Sequence, residues 1–353
     1  MKIMTFYLPQ FHEIPENNDA WGHGFTEWTN VKKGKKLFDG QRQPRVPLNN
    51  NYYNLLDTKI MKWQAMLAKE AGISGFCIYH YWFQGRMVLE TPIHNLLKDK
   101  SIDMKFCFSW ANEPWTKTWH GAGGNKEILI PQTYGGKEEW EAHYNYFLPY
   151  FKDSRYILEG NKPVLLIYRL RNIPDFNEMI RYWNKRAKED GFDGIYLISM
   201  NVSREHVYMS KWVNASVDFE PNRTKYELYS DPSRMEGECI DYIELNEKML
   251  NVSHKREHFR MVYVDYDDTP RRGKRGVFTR NVGPDRFGEY LKRALEISRG
   301  EGNEYLFINA WNEWGEGNYL EPDTVYKYEY LRKVCEAVYG KEQADKSIIL
   351  GCR

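Results

Sequence analysis

The sequence lacks an excess of charge of either sign, although charged residues are common in it. Its 353 residues include 50 Lys and Arg against 49 Asp and Glu, which leaves a formal net charge of +1. Proteins that bind nucleic acids or anionic membranes usually carry a basic surface, and no block of five or six like charges occurs here. We therefore expect no nucleic acid among its partners.

Cysteine is scarce, and long apolar runs are missing. Five cysteines occur without a Cys-x-x-Cys pair, and Cys77 and Cys107 lie in apolar runs, which is typical of free thiols buried in a reducing compartment. No stretch approaches eighteen apolar residues, so we expect no membrane span. The N-terminal segment is too short and too polar for a signal peptide, and this pattern predicts a cytoplasmic protein.

Aromatic residues are abundant, at 16% of the chain with 12 Trp and 26 Tyr. Aromatic faces stack on the apolar C–H faces of sugar rings, so this composition is consistent with a carbohydrate-binding protein. An aromatic-rich core explains the same numbers equally well, and composition alone does not separate the two.

Eight short apolar runs alternate with amphipathic, helix-like stretches. The runs are continuous rather than alternating, which is typical of parallel strands that are covered by helices on their outer face. They comprise residues 3–8, 75–79, 105–110, 163–168, 194–199, 215–220, 260–265 and 305–309. This count predicts an α/β protein with one domain over residues 1–353, a (β/α)8 TIM barrel. The alternative, a doubly wound open sheet, usually brings a glycine-rich phosphate turn that is not evident here.

Two long connections, residues 13–51 and 223–251, interrupt this alternation. Connections of this length usually cover a functional site. In a (β/α)8 barrel, that site lies where the strands end. Polar and aromatic residues gather at these ends, as a sugar-binding surface requires. We expect the following residues to bind an oligosaccharide or polysaccharide substrate: Tyr7, Trp28, Tyr79, His80, Trp82, Trp110, Asn112, Glu113, Glu220, Asp265, Trp311, Asn312 and Trp314.

Glu313 and Glu316 are the best candidates for acid and base catalysis. Glycosidic cleavage uses two carboxyl groups, and Gly315 and Gly317 permit the turn that would bring these two to one cavity. The neighbouring indoles could desolvate one carboxyl and raise its pKa. The alternative interpretation is a solvated acidic loop.

Other chemistries fit the sequence poorly. The acidic stretch at residues 265–273 lacks the glycine and glutamate positions of a calcium loop, and there is no Gly-x-Ser-x-Gly elbow. Asp265 and Asp267 are better interpreted as hydroxyl binders, or as partners of Arg271 and Arg272. We expect no metal site and no cofactor.

Two segments carry a resemblance to a known family. The stretches "FYLPQFHEIPENNDAWGHGFTEWTNV" and "FINAWNEWGEGNYLEPD" are similar to those of WbsX-like proteins, bacterial proteins often named as glycosyltransferases of surface-polysaccharide gene clusters. These in turn resemble glycoside hydrolase family 99, the endo-α-mannosidases and endo-α-mannanases. The resemblance covers nearly the whole chain and implies a (β/α)8 barrel.

The resemblance also implies roles for the two glutamates. The family-99 motif Asn-Glu-Trp-x-Glu matches residues 312–316. By that match Glu313 draws the proton from the sugar 2-hydroxyl, which attacks C1 and gives a 1,2-anhydro sugar. Glu316 protonates the leaving oxygen and later activates water. Residue 315 is glycine here, where the hydrolases carry histidine, and this difference bears on the substrate subsite.

Three functions therefore remain open. The first is a retaining, endo-acting glycosidase. The second is a glycosyltransferase of lipopolysaccharide, O-antigen or capsule biosynthesis, although no convincing cradle for a nucleotide diphosphate is visible. The third is a glycan-binding barrel without catalysis.

Overall fold

The computed structural model describes residues 1–117, 127–202, 210–228 and 239–347, and it contains eight parallel strands arranged as a barrel. The strands, labelled in chain order, are β1 Lys2–Tyr7, β2 Gly75–His80, β3 Phe106–Trp110, β4 Lys162–Ile167, β5 Tyr196–Asn201, β6 Ala215–Asp218, β7 His258–Tyr263 and β8 Tyr305–Asn309.

Each strand pairs with the next one along the chain, and β8 pairs with β1. In β1, Lys2 lies opposite Tyr305 of β8, while Met4 lies opposite Gly75 of β2. This pairing leaves no open edge, so the predicted (β/α)8 barrel is confirmed and the open sheet is excluded. All eight strands overlap the predicted runs, and even the least regular run gives β6.

Helices follow the strands, and the longer ones cover the outside of the barrel. They are α1 Pro15–Trp21, α2 Glu27–Lys33, α3 Thr58–Glu70, α4 Thr91–Lys98, α5 Lys137–Phe151, α6 Phe176–Glu189, α7 Asn222–Leu228, α8 Tyr242–Leu250, α9 Thr269–Arg272, α10 Pro284–Gly300, α11 Glu329–Tyr339 and α12 Lys341–Lys346. Within the described ranges, no helix combines the length and the apolar character that crossing a membrane requires.

The two long connections contain regular structure of their own. Residues 13–51 include α1, α2 and a short 3-10 helix at Leu48–Asn50. The connection predicted at 223–251 includes most of α7 and α8, and its residues 229–238 lie outside the described part. α2 and α9 contact each other beside the loop that follows β8, so the first connection reaches the end of the barrel where the last strand stops.

Aromatic rings fill both sides of the barrel wall. Inside it, the ring of Phe6 contacts Tyr79, Phe219 and Phe307, with centroids 5.5 to 5.8 Å apart. Outside it, Trp183 of α6 is fully buried against rings of β3 and α5. Much of the unusual aromatic content therefore serves the core, where each ring buries a large apolar area.

The described cysteines are free thiols. Cys77 and Cys107 lie opposite each other on β2 and β3, and both are buried. Burial raises the pKa of the Cys77 thiol well above its ordinary value, so this thiol stays protonated and packs as a small apolar side chain.

A buried arginine fixes the connection between α5 and β4. The guanidinium of Arg155 donates to the carbonyl oxygens of Leu96, Asp99 and Ile102 at 2.6 to 3.0 Å, and it binds both carboxylate oxygens of Asp153. Leu96 lies in the last turn of α4, and Asp99 and Ile102 follow that helix, so one guanidinium joins the end of α4 to the turn after α5.

Replacing this arginine should destabilise the fold far more than replacing an exposed one. We expect Arg155→Ala to lower the free energy of unfolding by about 1 to 3 kcal/mol, because the buried Asp153 carboxylate keeps Lys100 and a backbone N–H as partners but loses the guanidinium, and the Leu96 carbonyl loses its donor. Arg256→Ala, which removes an exposed ion pair with Glu304, should cost less than about 1 kcal/mol. Urea denaturation of both variants measures the difference, and equal losses would contradict this account.

Candidate active site

A tight hairpin follows β8 and carries the two glutamates. Asn312–Glu313 pairs antiparallel with Asn318–Tyr319, and a 3-10 turn at Trp314–Glu316 joins the two short strands. The turn ends at Gly317, whose φ of 62° lies in the left-handed region that glycine adopts without strain. The predicted turn between the two carboxylates is therefore present.

One guanidinium joins the two glutamates and a third carboxylate. Arg271 Nη1 lies 2.8 Å from Glu316 Oε1, and its Nη2 lies 3.6 Å from Glu313 Oε2. Nε and Nη2 lie 3.0 and 2.9 Å from Glu27 Oε1. Arg271 belongs to α9 after β7, and Glu27 begins α2 in the first long connection. Three segments that are distant in sequence thus meet at the guanidinium of Arg271. We call Arg271, Glu27, Glu313 and Glu316 the Arg271 cluster.

The Arg271 cluster combines three carboxyl groups with one guanidinium, and most of it is buried. The side chains of Glu27 and Glu313 are 0% and 10% exposed, whereas that of Glu316 is 27% exposed. Burial, followed by the charge of Glu316, raises the pKa of Glu313 to about 8, although Arg271 opposes the change. Burial also raises the pKa of Glu27. The cluster therefore retains a proton at neutral pH, as an acid–base pair requires.

The Arg271 cluster explains the glycine between the two glutamates. A Cβ atom at Gly315 would lie 1.8 Å from Glu27 Oε1 and 2.8 Å from Arg271 Nε. No side chain fits at this position while the Glu27–Arg271 pair occupies it. The glycine is thus required by the close approach of another part of the same chain.

A further buried carboxylate, that of Glu321, holds the tryptophans of the hairpin in place. Glu321 accepts hydrogen bonds from Trp311 Nε1 at 3.0 Å, Trp314 Nε1 at 2.6 Å, the Tyr53 hydroxyl at 2.8 Å and Gln64 Nε2 at 2.7 Å. Burial raises the pKa of Glu321 to about 7, while these donors oppose the change. We call these five residues the Glu321 shell.

Several predicted substrate-binding residues belong to this supporting structure or adjoin it. The hydroxyl of Tyr7 donates to Gln64 Oε1 at 2.7 Å, on the side of β1 that faces α3. The Trp28 Nε1 donates to the Tyr53 carbonyl at 2.7 Å, and its ring packs 5.4 Å from that of Trp314. Because the hydrogen-bonding groups of Tyr7 and Trp28 already have protein partners, these two residues, like Trp311 and Trp314, position the hairpin.

Asn312 links the hairpin to the first strand. Its Oδ1 accepts from Leu8 N at 2.7 Å and its Nδ2 donates to Leu8 O at 3.0 Å, so the side chain imitates a neighbouring strand. Across the barrel, Asn112 makes the same pair of bonds with the backbone of Arg169. Glu113 binds Arg169 Nε at 2.8 Å.

His80, Trp82 and Trp110 gather around α5 on the helix side. His80 Nε2 lies 2.9 Å from His143 Nε2, Trp82 stacks on His143 with centroids 4.4 Å apart, and Trp110 meets the same ring edge-on at 4.6 Å. Burial lowers the pKa of His80 to about 3, so its ring is neutral. The structure does not bring these three residues to the Arg271 cluster.

Tyr79 lies on the opposite face of β2, inside the barrel. Burial and then the charge of Glu313 raise its pKa well above the ordinary value, so it lies within electrostatic reach of the cluster. Tyr81 was not among the residues predicted from the sequence. Burial and then the charge of Glu313 raise its pKa as well, and its hydroxyl accepts a hydrogen bond from Gln10 Nε2 at 3.0 Å.

Glu220 and Asp265 occupy other buried networks. Glu220 accepts from the hydroxyl and backbone N–H of Thr224 at 2.6 and 3.0 Å, and burial raises its pKa to about 7. Asp265 pairs with Arg45 at 2.8 Å and Arg42 at 3.6 Å.

The alternative expectation that Asp265 and Asp267 pair with Arg271 and Arg272 was wrong. Arg271 turns to the glutamates, Arg272 pairs with Asp268 at 3.3 Å, and Asp267 accepts from Gln41 and Gln43.

A side chain at position 315 should disrupt the Arg271 cluster. We expect Gly315→Ala to cost about 1 to 3 kcal/mol of stability, the usual range for overpacking, because the Glu27–Arg271 pair must move. Gly300→Ala is the control, since no atom lies within 4 Å of a Cβ at that site near the end of α10. That change should be neutral or slightly stabilising. Thermal denaturation compares the two variants, and equal melting temperatures would contradict the close approach.

Comparison with known proteins agrees with the barrel fold. A family model described as glycosyltransferase WbsX matches residues 3–334. Two curated relatives, both called uncharacterized protein WxcX, come from two strains of Xanthomonas campestris pv. campestris. Each is 33% identical over 346 residues, which is 95% of this chain and 49% of the relative. The chain thus spans about half the length of these relatives.

Solved structures share the fold. The GH99 endo-alpha-mannosidase from Bacteroides thetaiotaomicron is similar over 98% of this chain and 97% of its own, with a TM-score of 0.57 and 14% identity. A glycoside hydrolase-like protein has the same TM-score and identity over 96% and 93% of the two chains. At this identity the likeness shows the fold alone, whereas the family model covers most of the sequence. The chain belongs to the WbsX glycosyltransferase family.

Proposed function

We propose that this protein is a retaining, endo-acting glycoside hydrolase that cleaves a bacterial or mannose-type polysaccharide. One observation carries the proposal: Glu313 and Glu316 share the guanidinium of Arg271 at the end of the last barrel strand. Two carboxyl groups in different environments are the machinery of glycosidic cleavage. The endo-alpha-mannosidase fold of a structural neighbour supports the same chemistry.

In the proposed first step, Glu313 takes the proton of the sugar 2-hydroxyl while O2 attacks C1. Glu316 donates its proton to the glycosidic oxygen, and the C1–O bond breaks to leave a 1,2-anhydro sugar. In the second step, Glu316 removes a proton from water, which attacks C1 and opens the three-membered ring. Glu313 returns its proton to O2. Both carboxyl groups finish in their starting states, and the configuration at C1 is retained.

Arg271 and the burial of the cluster tune this exchange. The raised pKa of Glu313 makes its ionised form a stronger base toward a hydroxyl proton. The same raised pKa also fits the reverse assignment, in which Glu313 donates the proton and Glu316 accepts one. Because the two carboxyl groups interact, the pKa values that a pH titration measures belong to the pair and do not assign the proton to one glutamate. A leaving-group experiment distinguishes the two assignments.

We expect Glu316→Gln to lose about 10²- to 10⁴-fold in kcat/KM on an unactivated glycan, the usual contribution of a general acid. On an aryl glycoside with a good leaving group, which needs little protonation, the loss should be much smaller. Glu313→Gln should lose activity on both substrates, because O2 is then no longer activated. Glu289→Gln, at an exposed site on α10, serves as the control. A smaller loss on the aryl glycoside for Glu313→Gln instead would reverse the roles.

The pH profile should report the buried charge of the cluster. If ionised Glu313 is the base, activity falls as the pH drops through its raised pKa, so the acid limb of kcat/KM should lie well above pH 4.5. The charge of Glu27 contributes to this increase. Glu27→Gln should therefore move the acid limb to lower pH, whereas Glu13→Gln, at an exposed site of the same connection, should not. An unchanged limb in Glu27→Gln would contradict this electrostatic coupling.

The family description, glycosyltransferase, favours a second function, glycosyl transfer. In this alternative we propose that the transfer belongs to lipopolysaccharide, O-antigen or capsule biosynthesis. Calorimetric titration with uridine and guanosine diphosphates separates the two. Micromolar binding would favour the transferase, and the absence of heat together with release of reducing ends from a polysaccharide would favour the hydrolase. A double Glu313→Gln and Glu316→Gln variant that keeps its biological role would indicate a glycan-binding barrel without catalysis.

A further inference from the structure

A second group of ionisable side chains lies on the helix side of the barrel. Asp218 ends β6, His258 begins β7, and His254 lies four residues before His258. Side chains alternate along a strand, and the next residue, Phe219, contacts Phe6 inside the barrel. Asp218 therefore faces outward, away from the rings that fill the interior. We call Asp218, His254 and His258 the Asp218 triad.

The geometry of the triad suits a metal ion. His258 Nε2 lies 2.8 Å from Asp218 Oδ1, and His254 Nε2 lies 3.5 Å from Asp218 Oδ2. One donor atom from each of the three residues lies within 4.8 Å of the other two. Bonds from nitrogen and oxygen to zinc are about 2.0 to 2.2 Å long, so small side-chain adjustments let the three atoms share one ion.

Asp218 is buried, the two histidines are partly buried, and neighbours hold the carboxylate in place. The side chains of Asp218, His254 and His258 are 3%, 4% and 20% exposed. Asn201 Nδ2 donates to Asp218 Oδ1 at 2.8 Å, and Arg223 Nη1 lies 2.8 Å from Asp218 Oδ2. Such contacts orient a metal-binding carboxylate. The positive charge of Arg223 opposes a cation, and a metal ion at Asp218 Oδ1 would replace the present contact of that oxygen with His258.

The two imidazoles of the triad lie against each other. Their rings stack with centroids 4.0 Å apart, which disfavours two positive charges. The imidazole of His254 is 4% exposed. Its buried Nδ1 has no hydrogen-bond partner among the described residues.

We propose that Asp218, His254 and His258 bind one divalent transition-metal ion of the zinc type. Two imidazoles and one carboxylate are the donors that such ions prefer, whereas magnesium and calcium take oxygen ligands. The ion would join β6 to the segment that enters β7 and would stabilise this side of the barrel, away from the Arg271 cluster. The sequence expectation of no metal site overlooked one signal, the His-x-x-x-His spacing of residues 254–258.

The test is metal binding by the full chain, with any affinity tag removed and the protein stripped by a chelator. Titration with zinc chloride should give one equivalent per chain, and zinc should raise the melting temperature by several degrees, since a ligand of the folded state stabilises it. Magnesium chloride at the same concentration should do neither. Failure of zinc to bind in a folded, stripped protein would overturn the proposal, and it would leave the glycosidase proposal untouched.

Variants locate the ion. His258→Gln should weaken zinc binding at least tenfold, because the amide keeps a hydrogen bond to Asp218 but loses the imidazole. His254→Ala should do the same. His23→Ala removes an exposed histidine and should change nothing. Circular dichroism checks that each variant is folded. Equal zinc affinity in folded His258→Gln and wild type would overturn the proposed site and show that zinc binds elsewhere.

Discussion

The candidate site depends on the guanidinium of Arg271, which holds three carboxylates that would otherwise repel one another. Without it, Glu27, Glu313 and Glu316 would bring like charges into a buried space, and burying unpaired charge is costly. Its contacts also bear on features that look unrelated in the sequence: the glycine at position 315, the path of the first long connection and the pKa of Glu313, which Arg271 lowers against the larger effects of burial and Glu316. The cluster therefore couples the charge state of the candidate catalytic glutamates to the packing of three separate segments.

A contrasting carboxylate gives the hairpin its rigidity. Glu321 has four donors and no cation among its hydrogen-bond partners, so its function is to organise the indoles and the hydroxyl around it. The tryptophans beside the candidate catalytic pair thus contribute shape, with their N–H groups already occupied. The hairpin carries the two candidate catalytic carboxyl groups and, a few residues later, one structural carboxylate.

The barrel could be predicted from the sequence because parallel strands covered by helices leave continuous apolar runs, and eight such runs were visible. The hairpin was predictable from its glycines. The direction of each side chain was not, because adjacent residues at a strand end face opposite sides of the wall. Tyr79 faces the interior while His80 faces α5, and the sequence does not say which. Glu27 was missed because its partner Arg271 lies 244 residues away.

The crowding around Gly315 links two positions that lie far apart in the sequence. In this structure Glu27 and a side chain at position 315 would occupy the same volume, so a residue can be added at 315 only if the Glu27–Arg271 pair moves. The effect of a substitution at 315 should therefore depend on which residue stands at position 27.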